Sequence, residues 1–172
     1  MTPPVFSFPI RVYYEDTDAA GVVYYANYLR YMERARSEWL EALGFPLAAF
    51  EREHAVAFAV HRAEIDFLRP ARLNDRLAVS VEARGRGACR MVVAQRVLRD
   101  DETLVSAEIT LACIDSLHWR PARIPAPLAC VLPTVSPGMN IPPRSLRSLP
   151  PRGLVSRSGR PFATDIDKTP FE

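Results

Sequence analysis

The chain has 172 residues, 48% of them hydrophobic, and a formal net charge of +2. This length and composition suit one domain with a hydrophobic core, and so small a net charge gives no electrostatic reason to expect a nucleic-acid partner. We expect a cytoplasmic protein without a membrane span or secretory leader, because no apolar run reaches about 20 residues and the cysteines (Cys89, Cys113 and Cys130) are scattered.

The first predicted element is a strand from Phe6 to Tyr14, in which apolar and polar side chains alternate. Pro9 favours an edge position for this strand, because proline cannot donate a hydrogen bond to a neighbouring strand. A turn follows that holds three carboxylates, those of Glu15, Asp16 and Asp18.

A long helix is predicted next. From Asn27 to about Leu43 the apolar residues recur at i, i+3 or i+4, and i+7, which indicates a helix with one broad buried face. That face comprises Tyr28, Leu29, Met32, Ala35, Arg36, Trp39, Leu40 and Leu43. Asn27 suits the N-cap and Gly44 suits the position just beyond the C-terminus. A short second helical turn is predicted at 46–52.

Four strands are predicted after the helix, at 54–68, 76–83, 89–97 and 104–114. Because the connections are short and hairpin-like, we expect the four strands to form an antiparallel meander. In the first of them, small residues (Ala57, Ala59 and Ala63) allow the sheet to curl closely around the helix. His61 lies among these alanines and is interpreted as an interior histidine.

This order of elements predicts an α+β fold, with one long central helix wrapped by a curved antiparallel sheet of about five strands. A curved sheet around one helix is the hotdog architecture. Because an open sheet has two free edges, we expect a homodimer or homotetramer that is joined edge to edge. The folded domain is predicted at 1–132. Eleven of the sixteen prolines lie between Pro121 and Pro170, and 133–172 is predicted to be a disordered Pro/Arg/Ser-rich tail.

Asp18 is the first candidate for chemistry. A carboxylate beside a helix N-terminus lies close to unpaired N–H groups that can hold an oxyanion, so it can act as a nucleophile or as a base toward water. The alternative is that Asp18 only caps a turn. Asp16 is assigned a turn-forming role and Glu15 a surface role. The rings of Tyr24, Tyr25 and Tyr28 either line a pocket or are ordinary half-buried tyrosines.

Cysteine and histidine spacings do not match a metal site, and the glycine-rich phosphate-binding and serine-hydrolase motifs do not occur. We therefore expect no metal and no cofactor.

The stretch 13–28 carries a D-x-D-x-x-G-x-V turn, and the helix carries Glu33-Arg34-Ala35-Arg36. Together they resemble the signature of the 4-hydroxybenzoyl-CoA thioesterase family, in particular its Tol-Pal-associated branch, over roughly residues 8–120. The resemblance implies a hotdog fold, an active site at a subunit interface, and hydrolysis of acyl-CoA to a carboxylic acid and CoA. Arg84, Arg86 and Arg90 are candidates for contacting the CoA phosphates.

In that family the second aspartate of D-x-D is the catalytic carboxylate, which falls on Asp18. The oxyanion donor, a backbone N–H at the helix start, falls on Tyr25. The matching glycine, Gly21, gives the thioester room to pass. The predicted substrate-binding residues are Gly21, Val22, Val23, Tyr24 and Tyr28. The Tol-Pal branch usually has a histidine where this chain has Tyr25, whereas the 4-hydroxybenzoyl branch has a tyrosine there. Both short-chain and aromatic acyl groups are therefore kept as predicted substrates.

Two other functions are compatible with the same fold. A hotdog dehydratase needs a histidine near the central helix, and none lies between Met1 and Glu53. The stronger alternative is a non-catalytic scaffold that binds acyl-CoA or acyl carrier protein.

Overall fold

The computed structural model describes residues 5–134. Its strands are β1 (Phe6–Arg11), β2 (Val56–Phe67), β3 (Arg76–Arg86), β4 (Arg90–Arg99) and β5 (Glu102–Asp115). Its helices are α1 (Tyr25–Ala42), α2 (Leu47–His54) and α3 (Ala126–Val131), with a short 3-10 helix at Tyr14–Asp16. The predicted tail lies outside the described residues except for Pro133 and Thr134, which pair with Arg86 at the end of β3. Within residues 5–134, no helix is long and apolar enough to cross a membrane.

The five strands form one antiparallel sheet in the order β1-β3-β4-β5-β2, and α1 packs on β1, β3 and β4. This is the hotdog architecture, so the predicted fold class is confirmed. The core between helix and sheet is apolar, with residues such as Met32, Val79 and Ile109 fully buried.

The predicted four-strand meander is wrong in one respect. Strands β3, β4 and β5 do form a meander, but β2 pairs with β5 and is the second edge of the sheet. The chain from β2 to β3 therefore passes three strand spacings, about 14 Å. The connection at 68–75 can reach this far, because an extended residue spans about 3.3 Å. Reading every connection as a tight hairpin missed this crossing.

His61 is exposed on β2, so its assignment to the interior is also wrong. The register of β2 against β5 shifts between Val60 and Arg62, which makes His61 the extra residue of a β-bulge. Its strand is an edge strand whose second half is exposed except for the half-buried Ile65. The alternation of apolar and polar residues in the sequence of β2 therefore did not predict which of its side chains are buried.

Helix α1 begins at Tyr25, two residues before the predicted start, and Asn27 lies in its first turn rather than at the N-cap. The C-terminal prediction is confirmed. Gly44 has φ +89°, its N–H donates to Glu41 O at 2.9 Å, and the Phe45 N–H donates to Leu40 O at 2.9 Å. These two bonds satisfy carbonyls that the helix itself leaves unpaired.

Most of the predicted helix face is buried, with two corrections. Leu29 and Leu43 are exposed, whereas Tyr31, which was not assigned to the face, is 1% exposed. Arg36 is buried as predicted, and its Nη1 donates to Gln95 Oε1 at 2.7 Å, while Gln95 Nε2 donates to Met32 O at 3.1 Å. Arg36 also pairs with Glu33. Hydrogen bonding of this kind offsets the free-energy cost of burying polar groups between helix and sheet.

Candidate active site

The acidic stretch after β1 folds into a small hairpin. Strand β1 ends at Arg11, earlier than predicted, because the Tyr13 N–H donates to the Asp16 carboxylate at 2.8 Å and starts the 3-10 helix. Thr17 then bridges Val23, the Asp18 N–H donates to Val22 O at 3.0 Å, and the Gly21 N–H donates to Asp18 O at 2.9 Å. The chain therefore reverses within four residues.

Gly21 closes this turn with φ +73°. A left-handed backbone of this kind strains residues with a Cβ. A Cβ placed on Gly21 would meet no heavy atom within 4 Å, so the backbone conformation, and not crowding by neighbours, accounts for the glycine.

The Asp18 side chain lies exposed at the first position of the turn. Its Oδ1 accepts a hydrogen bond from the Ala20 N–H at 2.8 Å. Turn capping, the alternative that the sequence left open, is therefore a real role of this side chain. The second oxygen, Oδ2, accepts no hydrogen bond from residues 5–134. One oxygen orients the carboxylate, and the other is available to a reacting group.

Asp16 joins the turn to the helix. Its carbonyl oxygen accepts from the Tyr24 N–H and from Asn27 Nδ2, both at 2.9 Å. The structural role assigned to Asp16 is thus confirmed. The prediction that Asn27 is the N-cap is therefore wrong. Asn27 is a buried residue whose side chain holds the start of α1 against the acidic hairpin. An asparagine in a first helical turn next to an acidic turn was the signal that could have revealed this.

Tyr25 is the first residue of α1, and the first N–H groups of a helix have no intrahelical acceptor. They carry the positive end of the helix dipole and suit an oxyanion. The Tyr25 ring is exposed, and its centroid lies 4.7 Å from that of Tyr24 and 6.3 Å from that of Phe67.

A cavity of about 260 Å³ adjoins the start of α1. It is lined by Val23, Tyr25, Tyr28, Phe67, Leu68, Arg69 and Pro70. Three of the residues singled out from the sequence (Val23, Tyr25 and Tyr28) are among them, whereas Gly21, Val22 and Tyr24 are not. The lining from the end of β2 was missed, because only the fold brings Phe67 and Leu68 to the helix.

The loop after β2 is held against the same helix. The Ala71 N–H donates to the Tyr28 hydroxyl at 2.9 Å, the Val23 N–H donates to Ala71 O at 2.9 Å, and Val22 bridges Arg72. Tyr28 therefore lines the cavity with its ring and anchors this loop with its hydroxyl.

The pKa values of Tyr24 and Tyr28 lie above the ordinary value for tyrosine, so both hydroxyls stay protonated at neutral pH. The pKa of Tyr24 is raised, first by a hydrogen bond with the Tyr25 hydroxyl and also by the negative charge of Asp18. Burial raises the pKa of Tyr28, although its bond with the Ala71 N–H acts in the opposite direction.

No group of three or more histidine, cysteine, aspartate or glutamate side chains within the described part of the chain could hold a metal ion. The reactive groups that the site offers are a carboxylate, backbone N–H groups at a helix start, and an aromatic cavity. Such a set can bind an acyl group and stabilise an oxyanion beside a nucleophile or base.

The profile of the thioesterase-like superfamily matches residues 12–132. The chain belongs to this superfamily. It is 40% identical over 126 residues to the acyl-CoA thioester hydrolase YbgC of Escherichia coli O6:H1. This alignment covers 73% of this chain and 93% of the relative. It is 42% identical over 120 residues to the acyl-CoA thioesterase YbgC of Haemophilus influenzae, covering 70% and 88%.

A solved structure agrees with these matches. The crystal structure of Slr0204, a 1,4-dihydroxy-2-naphthoyl-CoA thioesterase from Synechocystis, superposes with a TM-score of 0.68 at 28% identity, covering 75% of this chain and 98% of that chain. As a member of the thioesterase-like superfamily with relatives of this kind, the protein is an enzyme of the thioester-hydrolase class. The enzymatic interpretation therefore displaces the non-catalytic scaffold.

Proposed function

We propose that this protein hydrolyses acyl-CoA to a carboxylic acid and free CoA, with Asp18 as the nucleophile or general base. The observation that carries the proposal is the hairpin at 17–23. It presents an exposed carboxylate with one oriented and one available oxygen directly before the first N–H groups of α1. Strong identity to acyl-CoA thioesterases supports the same substrate class.

In the proposed reaction the thioester carbonyl oxygen accepts a hydrogen bond from the Tyr25 N–H, where negative charge develops in the transition state. Asp18 Oδ2 either attacks the carbonyl carbon or removes a proton from a water molecule that attacks it. In both routes the C–S bond breaks, CoA leaves as a thiol after protonation, and water supplies the oxygen of the carboxylic acid. A direct attack adds an acyl-aspartate anhydride, which water then cleaves.

The cavity next to Tyr25 supports a short-chain or aromatic acyl group. Its volume of about 260 Å³ is small, and the rings of Tyr25, Tyr28 and Phe67 form its walls. Aromatic rings pack well against one another in tilted and edge-to-face arrangements. A relative from Nostoc punctiforme, 33% identical over 120 residues, is named a 1,4-dihydroxy-2-naphthoyl-CoA hydrolase, which favours testing aromatic acyl groups first. We assign contacts with the acyl group to Val23 and Tyr28, which line the cavity, and contacts with the rest of the substrate to Gly21, Val22 and Tyr24, which lie outside it.

We further propose that the enzyme works as a homodimer or homotetramer. Strand β2 is a twelve-residue edge strand whose second half is mostly exposed. Val60 within the strand, and Phe67 and Leu68 at its end, add exposed apolar surface. An exposed edge strand of this length favours pairing with another strand. Because Phe67 and Leu68 also line the cavity, a second copy at this edge would help to close the site. Acyl carrier protein as acyl donor, the cytoplasmic location and the Tol-Pal association stay predictions.

Replacing Asp18 with asparagine tests the proposal. Asparagine keeps an oxygen that can accept from the Ala20 N–H, so the turn is preserved while the negative charge is lost. We expect the rate of CoA release from acetyl-CoA, butyryl-CoA and benzoyl-CoA to fall roughly 10²–10⁴-fold, with no change in the circular dichroism spectrum. Glu15→Gln, an exposed carboxylate of the same segment, is the matched control and keeps the wild-type rate. A wild-type rate in Asp18→Asn would contradict the proposal.

A further inference from the structure

Two arginines face each other at the end of the sheet nearest the candidate active site. Arg11, the last residue of β1, and Arg76, the first residue of β3, are direct cross-strand partners. Residues paired in this way point to the same face of a sheet, and both side chains are exposed. Like charges in such a pair destabilise the strand pairing. An anion bound between them would remove that repulsion.

No carboxylate of residues 5–134 neutralises the two guanidinium groups. Among residues 5–134, neither arginine takes part in an ion pair. Arg11 Nη2 donates to Asn74 Oδ1 at 3.2 Å, and its guanidinium carbon lies 5.6 Å from the centroid of the Tyr13 ring. These contacts with uncharged groups hold Arg11 in place without neutralising its positive charge. Most of its N–H donors remain available to a ligand.

A cavity of about 390 Å³ opens between the pair and is lined by Pro9, Ile10, Arg11, Arg76 and Leu77. A third exposed arginine, Arg72, lies close by, because the Asp75 N–H donates to Arg72 O at 3.1 Å and closes a tight turn that leads into Arg76. Arg72 also has no ion pair within the described part of the chain. Two arginines thus line the cavity, and the turn that leads into Arg76 carries a third.

This group of arginines lies within reach of the hairpin at 17–23. Arg72 bridges Val22, one residue after Gly21. The bridged residues Val22 and Arg72 lie about 4.8 Å apart, as in neighbouring strands. The ends of the tight turn from Arg72 to Asp75 lie within about 7 Å, and the consecutive Cα atoms of Asp75 and Arg76 are about 3.8 Å apart. The Cα atom of Arg76 therefore lies within about 16 Å of that of Val22. An extended pantetheine arm can bridge such a separation between a thioester and its phosphates.

We infer that Arg11 and Arg76 bind a phosphate group of coenzyme A, with Arg72 in the turn that leads into Arg76. Guanidinium groups match phosphate oxygens in bidentate geometry and keep their charge at any physiological pH. The inference rests on the proposed acyl-CoA substrate. We favour this pair over two of the arginines named from the sequence, since Arg84 pairs with Glu82 at 2.9 Å and Arg86 Nε donates to Ala129 O at 2.6 Å. Arg90 stays a prediction.

Kinetics with two thioesters of the same acyl group test the inference. One is the CoA thioester, and the other is the N-acetylcysteamine thioester, which ends before the phosphates. We expect Arg76→Gln to raise KM for the CoA thioester roughly tenfold relative to KM for the truncated thioester. Arg96→Gln, an exposed arginine of β4 without an ion pair in the described residues, is the matched control and leaves the ratio of the two KM values unchanged. An unchanged ratio in Arg76→Gln would overturn the inference.

Binding of free CoA, which needs no turnover, separates this inference from the proposed function. By isothermal titration calorimetry, Arg76→Gln should weaken CoA binding roughly tenfold and make it less sensitive to salt. Relief of the like-charge pair should also leave the thermal unfolding temperature of the unliganded variant equal to or above that of the wild type. Equal CoA affinity in wild type and Arg76→Gln refutes the phosphate site even if hydrolysis is confirmed. A CoA affinity that falls in the variant supports the site even if no thioester is cleaved.

Discussion

Asp18 combines two roles that the sequence presented as alternatives. Its Oδ1 bonds to the Ala20 N–H and fixes the carboxylate, which leaves Oδ2 available in the hairpin that leads into α1. A carboxylate held by one oxygen loses less conformational entropy when it reacts, because its rotamer is already restricted. Capping of the turn therefore favours the chemistry proposed for this residue.

The proposed oxyanion donor at Tyr25 is a main-chain group, and a proline can remove it. Proline is tolerated at the first position of a helix, and it requires an extended residue before it. Tyr24, with φ −59° and ψ 128°, already has that conformation. Tyr25→Pro should therefore fold, while its missing N–H lowers kcat roughly 10²–10³-fold.

Tyr25→Ala serves as the comparison for this variant, since it loses the same ring and keeps the N–H. The kcat of both variants is measured with the best acyl-CoA substrate, and helix content is checked by circular dichroism. If the proline and alanine variants turn over equally fast, the oxyanion assignment to the Tyr25 N–H is wrong.

Helix α1 links the two ends of the domain, and its two termini are built differently. The N-terminus is held by Asp16, whose carbonyl accepts from Tyr24 and Asn27, and no side chain of residues 5–134 caps it. The C-terminus is closed by the backbone bonds around Gly44. Stability of the helix and reactivity of its first N–H groups can therefore be altered separately.

Gly44→Ala tests this separation. Its φ of +89° strains an alanine, although a Cβ would meet no heavy atom within 4 Å. We expect the free energy of unfolding to fall by about 1–2 kcal/mol, measured by urea denaturation, with an unchanged kcat at a temperature where the variant is folded. A large loss of kcat in folded Gly44→Ala would show that the helix C-terminus also affects the site.

At the scale of the whole molecule, the core has a pH-dependent contribution at Cys113, which lies fully buried on β5. Burial raises the pKa of its thiol to about 11 from an ordinary value near 9.0, and the neighbouring Cys89 adds to the shift. The folded state thus keeps a proton that the unfolded state releases. The resulting stability is present below pH 9.0 and is lost as the pH rises toward about 11.

Urea denaturation of the wild type and of Cys113→Ala between pH 8 and pH 11 tests whether the stability falls as the pH rises. Cys113→Ala is less stable at neutral pH because of the cavity it creates, so the difference between the two proteins is the informative quantity. We expect that difference to shrink by on the order of 2–3 kcal/mol between pH 8 and pH 11. A difference that stays constant over this range would contradict the pKa shift of Cys113.

Local chemistry in the sequence determined much of this protein. Three features depend on residues that are close in sequence: the alternation of apolar and polar side chains in the strands, the period of α1, and Gly44 after the C-terminus of α1. The confirmed hotdog fold follows from these features. The same holds for the turn at Asp16, Asp18 and Gly21. Hydrogen bonds between residues close in sequence decide such features, so they can be predicted from a short stretch of chain.

Only the tertiary structure decided what depends on distant contacts. The pairing of β2 with β5 exposes His61 and brings Phe67 to the Tyr25 ring. Burial of Tyr31 in place of Leu29, and the opposition of Arg11 and Arg76, likewise depend on how the helix and strands come together. Strand order and cross-strand register are set by the packing of the whole sheet on α1, and the spacing of residues along one segment carries no record of them.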